Sequence, residues 1–155
     1  MKNITGLVIL TLVLLTGCNS GKIFEQHQKM DRLVWNRFDL VNFEVEVEDI
    51  TAGYDFYVAI RHITDVPYQQ LDLSFYLEGP DGSSVAKDVT VSLRDKEGKL
   101  QGNGLGELWD VETLAKENQR FSEPGRCKIE ISSRMQQTDL VGVLEVGLIV
   151  RKTKS

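Results

Sequence analysis

The sequence predicts an all-β fold: an antiparallel β-sandwich of immunoglobulin-like or jelly-roll type with one short helix. Three observations carry that expectation. Apolar and polar residues alternate with a period of two in stretches beyond residue 40, glycine-containing turns separate several of those stretches, and no helix follows each strand as a parallel sheet would require. At 155 residues the chain has the size of one domain, and 41% hydrophobic with 26% charged residues is the composition of an ordinary globular core.

The first element is an export signal. Met1-Lys2-Asn3 precedes an apolar run from Ile4 to Leu15, followed by Leu15-Thr16-Gly17-Cys18. Such a run rises roughly 18 Å as a helix, short of a ~30 Å hydrocarbon core but right for a secretory signal. Residues 1–17 therefore read as a signal peptide ending in a lipobox, with Cys18 as the lipidation site. Its thiol takes diacylglycerol before cleavage, and the new amino terminus takes an acyl chain such as palmitate. A plain signal peptide or an uncleaved anchor, the alternatives, would export the domain equally. No cofactor is expected beyond the covalent lipid. Cleavage leaves 138 residues and removes Lys2, so 17 basic face 23 acidic groups for a net charge of −6. An acidic surface suits neither nucleic acid nor polybasic attachment to anionic lipid, which leaves the anchoring to the acyl chains. Residues 18–37, polar and aperiodic, read as the lipidated cysteine and a tether, and 38–155 as the sandwich.

Within that domain the strands follow in order. Val41, Phe43, Val45 and Val47 alternate with Asn42, Glu44, Glu46 and Glu48, and the glutamates read as a solvated face because no Gly-containing Asp/Asn loop accompanies them. Tyr54 to Ile63 is the second strand and Leu71 to Leu77 the third. Gly79-Pro80-Asp81-Gly82 turns the chain into a strand from Val85 to Leu93, and Asp95-Lys96-Glu97-Gly98 turns it again. Leu108 to Asn118, with Trp109, Val111 and Leu114, is the expected helix. Arg126 to Met135 and Leu140 to Arg151 complete the sheet, the latter apolar from Val141 to Val150 except at Glu145. Expected core positions are Phe43, Val45, Phe56, Val58, Ile60, Leu73, Phe75, Val91, Ile129, Ile131, Val146 and Leu148. Cys127 shares a face with Ile129 and Ile131 and reads as a small buried hydrophobe.

Chemistry is sparse. The two histidines and two cysteines stand at 27, 62, 18 and 127 with no metal-ligand spacing, so no metal site is expected. Gly102-Asn103-Gly104-Leu105-Gly106 lacks the strand-then-helix context of a phosphate loop. His27 falls in the tether. His62 follows Arg61 in a strand, where adjacent side chains take opposite faces, so the two do not grip one substrate together and His62 reads as a structural hydrogen-bonding residue. No catalytic residue is assigned and no enzymatic activity is expected. Trp35, Tyr68, Tyr76 and Trp109 leave open a second class, stacking on sugar rings as a glycan-binding lipoprotein.

The segment Tyr57-Val58-Ala59-Ile60-Arg61-His62-Ile63, followed by Val66-Pro67-Tyr68-Gln69-Gln70-Leu71, resembles a signature of the gliding-motility lipoprotein GldH family: an Arg-His pair, then Pro-Tyr and a leucine strand. Gly79-Pro80-Asp81-Gly82, the 102–106 glycine run, Phe121, Pro124-Gly125, Arg134-Met135, Leu140-Val141-Gly142-Val143 and Val146-Gly147-Leu148 are similar in order to that family's pattern, as is the lipobox. Gln70 and Cys127 depart from it, where the family prefers Asn and an aromatic residue. The resemblance covers nearly the whole mature chain. It implies a non-enzymatic envelope lipoprotein, an accessory or assembly component of the gliding-motility and type 9 secretion apparatus, with other envelope proteins as partners. Asn19-Ser20-Gly21-Lys22-Ile23 lacks the acidic run that resembles a surface-export signal in such bacteria, which points to the periplasmic face of the outer membrane. The partner contact is expected around Arg61, His62, Pro67 and Tyr68. A Tyr beside a Pro in a connection is poorly placed for the core, and an Arg makes bidentate, partner-specific bonds. The competing expectation is that Arg61 and His62 only tie their strand to its neighbours.

Overall fold

Eleven β-strands form in the computed structural model, which describes residues 21–154. They are β1 (Lys22–Lys29), β2 (Val34–Asn36), β3 (Val41–Val47), β4 (Tyr54–Ile63), β5 (Gln70–Glu78), β6 (Ser84–Ser92), β7 (Asn103–Leu105), β8 (Leu108–Gln119), β9 (Gly125–Ser133), β10 (Asp139–Val141) and β11 (Val143–Lys152). A single 3-10 turn, Asp31–Leu33, is the helical element among the described residues. The signal peptide, lipobox and Cys18 lie outside them.

Strand order explains why the alternation appears where it does. One sheet runs β1-β11-β4-β8-β7, the other β3-β9-β5-β6, and β10 pairs with β2 at one end, with every pairing antiparallel. The chain crosses between the two larger sheets after β1, β3, β4, β6, β8 and β9, so each sheet buries one face against the other. In β3 the valines and Phe43 point inward and Asn42, Glu44 and Glu46 outward. Phe56 meets Phe75 across the core with ring centroids 6.1 Å apart, and Phe24 meets Phe43 at 6.4 Å. Every expected core position is buried, and so is Cys127. The all-β antiparallel sandwich is thus the observed architecture.

Two expectations are corrected. Leu108 to Asn118 is not a helix but most of β8, hydrogen-bonded to β4 from end to end. Its polar composition and an outward, exposed Leu114 disguise the period of two, and register shifts opposite Phe56 and Tyr57 add residues that break the alternation further. The segment 18–37 is not simply a tether, because β1 begins at Lys22 and pairs with β11 through Lys29. β1 is an edge strand with a partner on one side only and mostly exposed side chains, so its hydrophobic signal is weak. Within the same segment Trp35 is 0% exposed, its indole N–H donating to the Asp39 carbonyl at 3.0 Å.

Candidate partner-binding site

β4 sends Arg61 and His62 to opposite faces. Arg61 lies on the outer face of the five-stranded sheet, directly across from Asp110 on β8 and Glu145 on β11. Its Nε and Nη2 donate to the two Asp110 oxygens at 2.7 and 3.0 Å, and Nη1 reaches Glu145 Oε2 at 3.3 Å. One guanidinium therefore bridges three strands, and the Asp110 carboxylate raises its already high pKa. The side chain keeps 37% of its surface exposed.

Around it the outer face is a dense pattern of charge. Glu145 lies 3.8 Å from His27 Nδ1, and His27 Nε2 is 3.2 Å from Glu25. The His27 ring lies flat against Gly147, where any Cβ would collide with it, so β1 can lay an imidazole on its neighbour only because that position is glycine. Arg151 donates to Glu112 at 2.7 Å and stacks on the Tyr57 ring at 4.6 Å. Glu25, His27, Arg61, Asp110 and Glu112 rim a shallow depression of about 190 Å³ that Ala59 and Ile149 help to line.

His62 is 0% exposed and offers no surface to a partner. Its Nδ1 donates to the Ile63 carbonyl at 2.8 Å, while Nε2 has no protein partner. Burial lowers its pKa, and the Arg94 charge lowers it further. Pro67 and Tyr68 lie apart from both residues, in the β4–β5 connection. The Tyr68 hydroxyl donates to the Asp139 carbonyl at 3.3 Å and accepts from the Val141 N–H at 3.2 Å, pinning that connection to β10. Pro67 is exposed, and Val141, whose N–H meets the Tyr68 hydroxyl, is 52% exposed. The four expected contact residues thus form no single site: Arg61 belongs to the sheet face, Pro67 and Tyr68 to the end of the sandwich, and His62 to the core.

Sequence reasoning missed Asp110 and His27 as members of the Arg61 network, and the separate Arg151–Glu112 pair on the same sheet. One signal was available, since Glu145 is the lone charge in an apolar run and a charge so placed asks for a partner. The remaining chemistry is muted. Cys127 is fully buried and burial pushes its thiol up to about 12, so it carries no thiolate at neutral pH. Among the described residues no group of three or more His, Cys, Asp or Glu side chains is placed to hold a metal ion. Trp35 is inside the core, and Trp109 lies against the backbone of Gly104, so the two indoles make no stacking platform.

The family model described as GldH lipoprotein matches residues 22–150, from the start of β1 nearly to the end of β11. The chain is 26% identical over 152 residues, 94% of its own length and 93% of the relative's, to a protein named gliding motility lipoprotein GldH homolog from Christiangramia forsetii. It is 24% identical over 159 aligned positions, 98% of each chain, to gliding motility lipoprotein GldH from Flavobacterium johnsoniae. No solved structure matches it significantly.

Proposed function

The chain belongs to the GldH lipoprotein family, and on that premise we propose that it is a non-enzymatic lipoprotein of the cell envelope that serves the gliding-motility and type 9 secretion apparatus as an accessory or assembly component. The observation that carries this reading is the family match across residues 22–150, which takes in nearly the whole sandwich. Lipid anchoring follows from the family and, in this chain, falls to Cys18, with the domain on the periplasmic face of the outer membrane.

The side-chain chemistry supports a binding role over a catalytic one. Arg61 is held by two carboxylates, and His62 and Cys127 are buried, so neither the imidazole nor the thiol is open to a substrate. The partner is another envelope protein, met through Pro67 and Tyr68 with Arg61 on the adjoining sheet face, and His62 takes no direct part. The test is complementation of a strain lacking the protein, scored by colony spreading and by secretion of cargo. Wild type should restore both, whereas Cys18→Ala should restore neither and should lose incorporation of a fatty-acid analogue. Fatty-acid label on the Cys18→Ala variant, or full rescue by it, would refute the anchored role.

A further inference from the structure

Gly21 is fixed at one end of the sandwich. Lys152 N–H donates to its carbonyl at 2.8 Å, Thr153 N–H donates to Gly53 at 2.8 Å, and Lys22 pairs with Arg151 at the tail of β11. That end is built from the connections at 48–53, 79–83 and 120–124, and β1 runs away from it to Lys29, opposite Glu145. Cys18 lies three residues before Gly21. A chain of that length spans at most about 11 Å even when fully extended. A lipidated Cys18 therefore holds this end close to the headgroups and leaves little freedom to present another.

Side chains at that end suit the position. Ile23 and Ile50 are 40% and 43% exposed, and Lys22 and Lys152 stand beside them. Lys22 is held by Glu25, and Lys152 by Asp49 at 2.8 Å, while Glu46 and Glu48 line the same depression as Ile23 and Lys152, so the patch is mildly acidic and its lipid contact falls to the apolar side chains and the acyl chains. Scattered apolar side chains among lysine stems can settle into a lipid interface, adding contact to an anchor set by the acyl chains. At the opposite end Leu105 is 87% and Phe38 72% exposed. They are separated from the first end by the length of β4, roughly 30 Å at ~3.3 Å per residue.

We infer that the sandwich stands end-on upon the membrane, with the face formed by Gly21, Ile23, Ile50 and Lys152 against the lipid headgroups and the Leu105 and Phe38 end directed away. This rests on lipidation at Cys18, and the experiment separates the two. The lipidated full chain is reconstituted into phosphatidylethanolamine–phosphatidylglycerol vesicles containing nitroxide-headgroup lipid, with bimane on Ile50→Cys or Leu105→Cys. Acylated Cys18 and buried Cys127 leave the introduced thiol as the one labelled. Fluorescence at position 50 should fall at least twofold relative to vesicles without nitroxide, and fluorescence at 105 should be unchanged. If the protein floats with the vesicles while position 50 is unquenched or position 105 is quenched, the orientation is overturned and the anchor stands. If it does not float, anchoring and orientation fall together.

Discussion

Replacing Arg61 removes the cation that Asp110 and Glu145 share across three strands, and Glu145, only 13% exposed at its side chain, is left with the more distant His27. Arg61→Ala should lower stability by on the order of 1 kcal/mol, because the network is partly exposed and screened. That corresponds to a melting temperature about 3 °C lower. Arg61→Lys should recover part of it, since an ammonium cannot bond both Asp110 oxygens in the plane of a fork. An unchanged melting temperature in Arg61→Ala would mean the guanidinium does no structural work. His62 has a pH signature. Its folded pKa is depressed, so the unfolded chain takes up the proton first as pH falls below about 6.5. The stability it contributes is complete above that value and declines as pH drops toward the folded pKa. Thermal melts from pH 7.5 to 5 should show a steeper loss for wild type than for His62→Phe, and parallel curves would contradict the buried, neutral imidazole. In the native state Cys127 should resist maleimide and react only on unfolding.

At the level of elements, β3 and β4 were legible in the sequence because both faces of each strand speak: valines and aromatics look inward while glutamates or Arg61 look outward. The alternation of β5, β6 and β9 and the apolar run of β11 were legible too, whereas edge position hid β1 and irregular register hid β8. β1 has one hydrogen-bonded neighbour and packs chiefly Phe24 on the core, so it lacks the alternation that announces a buried strand. β8 carries helix-forming residues whose pairing with β4 overrides their propensity. These elements nevertheless hold the molecule together. Trp35→Ala, within the segment expected as tether, should cost about 3 to 5 kcal/mol as a buried large-to-small change. Phe38→Ala, three residues on and 72% exposed, should stay within about 0.5 kcal/mol of wild type. Equal effects in denaturant titrations would show that the 18–37 segment does not dock as described. Gly147→Val should push the His27 ring off β11 and speed amide exchange along β1 more than along β4.

For the whole molecule, the sequence placed Arg61 and Tyr68 in one neighbourhood, whereas the fold divides them between a sheet face and the end of the sandwich. Cross-strand partners 49 and 84 residues away, Asp110 and Glu145, decide what Arg61 does, and no local pattern around residue 61 contains that information. The family resemblance was legible because it is written locally, in an ordered series of short motifs that the family match over residues 22–150 bears out. The family match describes a lipoprotein, and on the readings proposed above it stands on the membrane at one end and meets an envelope protein near the other. The most direct test places a photo-crosslinking amino acid at Pro67 in living cells, with the same residue at Tyr76 on the solvated four-stranded sheet for comparison. Irradiation should yield a discrete adduct with an envelope protein of the motility or secretion apparatus from position 67 and none from position 76. No protein adduct at 67, or the same adducts from both positions, would contradict the account.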